Sequence, residues 1–480
     1  MAVEYDLVII GGGSGGLVVA SAAAQLKAKV ALVEKDRLGG DCLWHGCVPS
    51  KSLIHASRVA YQVKNSSHFG IYNDISEINF AEANSHVQQV IKAIEPHDSP
   101  ERFRGLGVEV IFGDGKFIDG QTFEVDGRKL KARNFVISTG SRPATPTIAG
   151  LQEAGYLTNE QVFSLQNRPL SLAAIGAGPI GCELGQAFHR LGSEVTIISS
   201  RDRILLKEDP EAAKVVEEQL ASEGIKIVKN ARVDRVEVID GKKYLYAGDE
   251  KIVADEILFS AGRTPNVESL NLEAAGVEYD KEGIKVSETL QTTNAKIYAC
   301  GDVIGGYQFT HAAGYEAVVV IQNALFGILP FLKKKVDYRV IPWATFTDPE
   351  LARVGLTEEE AKEIYGEEDV FALKIPFAEV DRARAEAATV GFNKIITRGD
   401  GEILGAHMVG PSAGELIHEI VLAMSNNLKV SALTGIHIYP TLSEANSKAA
   451  LLLKKQSYAK NTRLQNILTN VFKLLRSVAS

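Results

Sequence analysis

Residues 5–26 read YDLVIIGGGSGGLVVASAAAQL. The apolar run before the glycines has the length and content of a strand buried on both faces, and the small-residue run after them reads as a helix. Gly11, Gly13 and Gly16 fit G-x-G-x-x-G across the turn, and a second strand, KVALVE (residues 29–34), ends on the acid Glu34. Glycines at those places let a backbone approach a pyrophosphate at a helix N-terminus, and an acid at the end of the second strand accepts from a ribose hydroxyl. The glycine spacing alone is a weak signal. Strand, helix, second strand and terminal acid together make a dinucleotide site.

The pattern recurs at residues 170–199, LSLAAIGAGPIGCELGQAFHRLGSEVTIIS, with Gly176, Gly178 and Gly181 between strand and helix. Two such fingerprints in 480 residues predict two dinucleotide-binding domains. At roughly 150 residues per domain the length leaves room for a third. Three strand-then-glycine segments follow the same rhythm: FVISTGSRPATPTIAG (135–150), EILFSAGRTPNVE (256–268) and AKIYACGDVIGG (295–306). From about residue 340, alternating stretches and amphipathic runs predict an α+β domain. The expected class is α/β, with two Rossmann-like dinucleotide-binding domains and a C-terminal α+β domain. The expected order is 1–150 (first dinucleotide-binding domain, first part), 151–280 (second dinucleotide-binding domain), 281–339 (return to the first), 340–456 (α+β domain) and a helical tail, 457–480.

The composition is that of a globular chain, 45 % apolar and 23 % charged. A net charge of −8 argues against nucleic acid or an anionic membrane as the main partner. No apolar run of about 18 residues marks a membrane span. The first ten residues have no basic stretch before their apolar run, so the expected compartment is the reducing cytoplasm.

In that setting two of the four cysteines stand close together, in LGGDCLWHGCVPSKSL (38–53). Residues five apart on a regular helix lie roughly 8 Å apart, too far for a disulfide. Gly46 can break that geometry, and Pro49 suits the first turn of a following helix. Cys47 then stands at a helix N-terminus near Lys51, where the dipole and the ammonium favour a thiolate. Cys42 and Cys47 read as a redox pair. A zinc site, the competing reading, needs about four ligands, and Cys182 and Cys300 lie in other motifs. A dithiol and two dinucleotide sites suit one device: a resident flavin, a nicotinamide donor and a disulfide.

GGDCLWHGCVPSK resembles the active-site motif of the FAD-dependent pyridine nucleotide–disulfide oxidoreductases. The likeness runs from about residue 5 to 455 and takes in both fingerprints, STGSRP, SAGRTPN, ACGD and PTLSEA. It implies that Gly11, Gly13, Gly16 and Glu34 bind the ADP half of FAD. Lys51 would lie by the isoalloxazine, with Thr139, Gly140, Ser141 and Asp302 lining the FAD site. Cys47 would face the flavin and Cys42 the substrate. Gly176, Gly178, Gly181, Glu183, Arg201 and Gly262 fall to the nicotinamide side. The resemblance further implies a homodimer in which the PTLSE segment completes the partner's active site.

In the lipoamide and glutathione members of that family a histidine base precedes the proline of this segment, and a glutamate orients it. Here the segment is HIYPTLSEANSK (437–448), with Tyr439 before Pro440, Glu444 in place and His437 two residues off. A phenol with a pKa near 10 is a poor base at neutral pH, where an imidazole near 6.5 is poised. Mercuric reductases carry tyrosine there, because a metal ion brings no thiol proton, and thiolates ligate soft metals. No cysteine follows Cys300, so the terminal thiol pair that usually loads the metal is missing. The expected reaction takes electrons from NADPH (NADH being the lesser donor) through FAD to the disulfide. From there they pass to a small-molecule or metal-ion acceptor in the manner of mercuric reductase. The alternatives are a dihydrolipoamide dehydrogenase with a displaced base, for which His437 is the candidate, and a low-turnover flavin sensor. NADPH is favoured because Ser199 stands where Glu34 stands in the first copy, with Arg201 and Arg203 following and Asp202 between them. The tail, RLQNILTNVFKLLRSVAS (463–480), has a helical apolar stripe. Such a stripe packs into a core or a dimer contact by default, with a membrane-surface helix as the alternative.

Overall fold

The computed structural model describes residues 3–72, 77–327 and 330–479. The chain forms two compact units, one of residues up to 200 with 231–337, the other of 201–230 with the residues from 338 onward.

In the first unit, strand β1 (Tyr5–Ile10) leads through the glycine turn into helix α1 (Ser14–Gln25) and returns as β2 (Val30–Glu34). The sheet runs β3 (Glu109–Phe112), β2, β1, β4 (Arg128–Ile137), and the short β8 (Ile297–Ala299) pairs the far side of β4. These pairings are parallel. A parallel central strand is covered on both faces, which is why β1 reads as a continuous apolar run. Leu7 and Ile9 pack among α1 and the later helix α4 (Thr310–Phe326), while Val8 and Ile10 pack with Phe117, Phe123 and Phe135 on the other face. Register places Ile10, Ile137 and Ala299 side by side. The turns that follow them therefore open at one carboxyl edge, the expected place for a ligand.

The second fingerprint repeats the plan. β5 (Ser171–Ile175) is flanked by β6 (Glu194–Ile198) and β7 (Glu256–Phe259), both parallel to it, with helix α3 (Pro179–Arg190) rising from the glycine turn. Ile175, Ile198 and Phe259 share a level.

In the second unit, an antiparallel sheet orders β9 (Pro342–Thr345), β10 (Glu350–Gly355), β13 (Ile403–Gly410), β12 (Phe392–Arg398) and β11 (Val370–Pro376). Its core joins the sheet to helices α5 (Ala413–Ser425) and α6 (Glu444–Lys460) through Ile395, Ala406, Met408, Ile417, Ile420 and Ala449. The expected class, α/β with a C-terminal α+β domain, is the one observed. None of the residues of the last helix, α7 (Thr462–Val478), is buried, so it joins no core of this chain. Among the described residues no helix is long and apolar enough to cross a membrane.

Candidate active site

A short helical turn, Gly40–Trp44, carries Cys42, and Cys47 opens the long helix α2 (Cys47–Lys64). Gly46 joins them. A Cβ there would stand 3.0 Å from the Asp41 carbonyl oxygen and 3.3 Å from the Cys42 Cα, so any side chain would crowd the two turns where they close on each other. That closure replaces the helical separation and brings the sulfurs into hydrogen-bond contact. Both are free thiols, Cys47 exposed and Cys42 half-buried. Their proton is unevenly shared. The hydrogen bond from Cys42, with help from Thr310 and the Lys51 charge, pulls the Cys47 thiol down to about 6 against the opposing effects of partial desolvation of the sulfur and of Asp41. The Cys42 thiol moves up, first through the hydrogen bond to Cys47 and then through burial. The Thr310 hydroxyl lies 3.4 Å from the Cys47 sulfur. Lys51, one turn into α2, bonds the buried Glu183 carboxylate at 3.0 Å.

A titration follows from this asymmetry. Thiolate is the reactive form, so Cys47 of the reduced enzyme should be alkylated by iodoacetamide at a rate that is full above neutrality. The rate should fall as pH drops through about 6. A rate that climbs only toward the ordinary thiol value near 9 would show that the pair does not stabilise the thiolate.

The two glycine turns are built alike. Gly11 has φ +105°, and a Cβ on it would meet the Ser138 carbonyl oxygen at 2.4 Å; one on Gly16 would meet the Gly11 carbonyl oxygen at 1.9 Å. Gly176 and Gly181 repeat this against Ser260 and against the Gly176 carbonyl oxygen. The middle glycines differ. A Cβ on Gly13 would have its nearest neighbour at 3.8 Å, and one on Gly178 would meet nothing within 4 Å. Both cap helices without any side-chain cap. Backbone N–H groups at an open, uncapped helix start are what a pyrophosphate needs, so both cradles fit a dinucleotide. Sequence reading missed a matched pair of serines. The hydroxyls of Ser138 and Ser260 donate to the carbonyls of Gly11 and Gly176, each at 3.0 Å, pinning both turns. The signal was present, since both head the segments STGSRP and SAGRTP.

Glu34 folds back onto its turn, accepting from the Gly12 amide at 2.7 Å and the Asp36 amide at 2.9 Å. A carboxylate has about four acceptor sites, so it can still accept from a ribose hydroxyl. Thr139 donates to the Asn266 carbonyl at 2.7 Å, and Gly140, at φ +68°, accepts from the Asn266 amide at 3.0 Å. Gly262 also turns at positive φ, +98°. Ser141 donates to Asp302 at 2.6 Å, and burial raises the Asp302 carboxyl above its ordinary range. Arg263 donates to the Ser141 hydroxyl at 2.7 Å and to Asp41 at 3.0 Å, and Asn159 reaches the other Asp41 oxygen at 3.1 Å. Polar side chains thus run unbroken from Asp302 to the residue before Cys42. Arg263, Asn159, Asp41 and Thr310 carried no local signal as site residues. Arg201 belongs to the second unit, where its carbonyl accepts from the Asn230 amide at 2.8 Å.

In the second unit, the Tyr439 hydroxyl donates to Asp381 at 3.1 Å, and that bond raises the phenol's pKa further. His437 has both ring nitrogens against acceptors, the Gly435 carbonyl at 2.8 Å and the Glu419 carboxylate at 3.0 Å. Glu444 begins α6 with one buried carboxylate oxygen that has no hydrogen-bond partner among the described residues. Ile438 and Tyr439 stand 80 % and 68 % exposed.

The profile of the pyridine nucleotide-disulphide oxidoreductases matches residues 5–317, and the dimerisation domain of the same family matches residues 341–450. The chain belongs to this family. Among its relatives, a mercuric reductase of Lysinibacillus sphaericus is 38 % identical over 459 residues, covering 94 % of this chain and 83 % of that protein. A dihydrolipoyl dehydrogenase of Bacillus subtilis is 34 % identical over 485 residues, covering 94 % and 98 %. Among solved structures, the HOCl-induced flavoprotein disulfide reductase RclA from Escherichia coli superposes with a TM-score of 0.82 at 28 % identity, over 93 % of this chain and all of that one. Its Cu(II) complex gives 0.83 at 27 % identity. As a pyridine nucleotide-disulphide oxidoreductase the protein is an FAD-dependent NAD(P)H oxidoreductase with a redox-active disulfide. Its dimerisation domain makes it a homodimer.

Proposed function

We propose that the enzyme passes electrons from NADPH, through FAD and the Cys42–Cys47 disulfide, to an acceptor that carries no thiol proton, with Hg(II) as the reference acceptor. FAD lies on residues 1–150 and 281–339, the nicotinamide on 151–280, and residues 340–456 form the dimer in the cytoplasm. The observation that carries the reading is Tyr439. A phenol bonded to Asp381 and pushed above its ordinary pKa cannot take a thiol proton at neutral pH. Both ring nitrogens of His437 face acceptors, which argues against it as the replacement base.

FAD, when bound, supplies the hydride acceptor that relays two electrons to the disulfide. The chain's own part is to hold the Cys47 thiolate at the start of α2, beside Lys51 and Thr310, and to leave Cys42 as the sulfur offered to the acceptor. Two thiolates ligate a soft metal ion and deliver two electrons as the disulfide re-forms. The sum is NADPH and Hg(II) giving NADP⁺, a proton and Hg(0). RclA forms a Cu(II) complex, which supports a metal ion as a ligand on this fold. One observation favours a second reading, a dihydrolipoyl dehydrogenase type: His437 is paired with a carboxylate, Glu419, as a histidine base would be.

The test is steady-state turnover with NADPH or NADH against a panel of Hg(II)–thiol complex, Cu(II), lipoamide and glutathione disulfide. Ser199 in place of an acid, followed by Arg201 and Arg203, suits a 2′-phosphate. A charge-assisted hydrogen bond is worth about 1.5–3 kcal/mol, so kcat/KM should favour NADPH by ~10–100-fold. A preference for NADH would refute the donor assignment. Turnover with disulfides alone would refute the acceptor assignment.

A further inference from the structure

Helix α7 (Thr462–Val478) lies beyond the family's dimerisation domain, which ends at residue 450. At about 100° per residue, all eight of its leucine, isoleucine, valine and phenylalanine residues fall within one arc of about 160°. The nine polar residues fill the rest without exception. None of the helix is buried, and Phe472, Leu474, Leu475 and Val478 are each more than half exposed. A globular helix with such a stripe normally covers it. Here the chain does not.

The charges say what covers it. The helix has Arg463, Lys473 and Arg476 and no acid. The tail from Lys460 contributes +4 to a chain of net charge −8, so the rest carries −12. Lys473 sits in the middle of the polar arc, and Arg463 and Arg476 lie toward its two edges, from which long side chains reach outward beside the apolar face. Two copies of this helix facing each other would bring cations against cations with no acids to pair them. Their apolar arc is also wider than the narrow seam of a coiled coil. A broad apolar face flanked by cations matches a planar boundary between hydrocarbon and anionic headgroups. At 17 residues the helix is shorter than the roughly 20 needed to span a bilayer, so it lies in the plane.

We propose that α7 is an in-plane anchor that docks the enzyme on anionic phospholipid bilayers. The homodimer presents two such helices, and two weak anchors bind together far more strongly than either alone. The anchor holds the reductase at a membrane surface and takes no part in the redox chemistry.

Flotation of the full-length holoenzyme with vesicles tests this. Vesicles of phosphatidylglycerol and phosphatidylcholine should carry the protein upward at least tenfold more than pure phosphatidylcholine. Salt at 0.5 M should reduce the difference severalfold, because it screens the headgroups. Truncation after Asn461 and the paired substitution Leu474→Glu with Leu475→Glu should each abolish flotation. Both variants should keep FAD, dimer mass and NADPH-dependent turnover. Equal flotation on neutral and anionic vesicles, or flotation that survives the truncation, overturns the proposal. So does a truncated enzyme that sediments as a monomer, which would show that the partner subunit covers the apolar face.

Discussion

The Cys47→Ser enzyme is expected to take up about two electrons per flavin from dithionite, where the unaltered enzyme takes about four, because the dithiol–disulfide couple holds two of them. NADPH-dependent turnover should fall on the order of 10³-fold or more, as for other removed nucleophiles. The reason is local. Serine cannot form a bond to the Cys42 sulfur, and its hydroxyl stays protonated where Cys47 is held down to about 6. The fold should not suffer, since Cys47 is exposed and its sulfur meets only Cys42 and Thr310 among the described side chains. Flavin content and dimer mass are therefore the controls. A mutant that still takes up four electrons would show that this pair is not the redox centre.

The second large effect runs the other way. Tyr439→His should raise dihydrolipoamide oxidation by ~10²–10⁴-fold, the usual worth of a general base, and leave the Hg(II) rate within about twofold. Tyr439 is largely exposed and bonded to Asp381 alone among the described residues, so the exchange disturbs no core. Glu444 retains a buried carboxylate oxygen without a hydrogen-bond partner among the described residues, the kind of acceptor that fixes an imidazole's orientation. If unaltered enzyme instead oxidises dihydrolipoamide fast, and loses that in His437→Ala but keeps it in Tyr439→Phe, then His437 is the base and the acceptor reading fails.

The two cradles were legible because everything that specifies them is local: a strand run, three glycines and a helix within some thirty residues. Steric reasons make those glycines obligatory, and the observed clashes against Ser138, Gly11, Ser260 and Gly176 are those reasons. The cysteine pair was legible for a similar cause, with Gly46 and Pro49 supplying the break and the helix start. The supporting residues were not. Thr310 stands 263 positions from Cys47, and Arg263 reaches Asp41 across 222 positions. No pattern along the chain records such pairings, because parallel strands bring their ends together only after long crossovers.

His437 and the tail mark the same division at single sites. From sequence, His437 remained a candidate base. Only the folded second unit shows the Gly435 carbonyl and the Glu419 carboxylate occupying its nitrogens. The tail's periodicity established an amphipathic helix, because the spacing of apolar residues is a property of the chain itself. Whether that face was covered depended on what lay beside it in space, and the tertiary structure alone left it exposed. By itself, then, the sequence determined the two glycine turns, the close cysteine pair and the tyrosine before Pro440, all set by neighbours within a turn or two of chain. Tertiary structure decided the proton's place between the thiols, the polar run from Asp302 to Asp41 and the engagement of His437, because each depends on groups that meet only when distant segments pack.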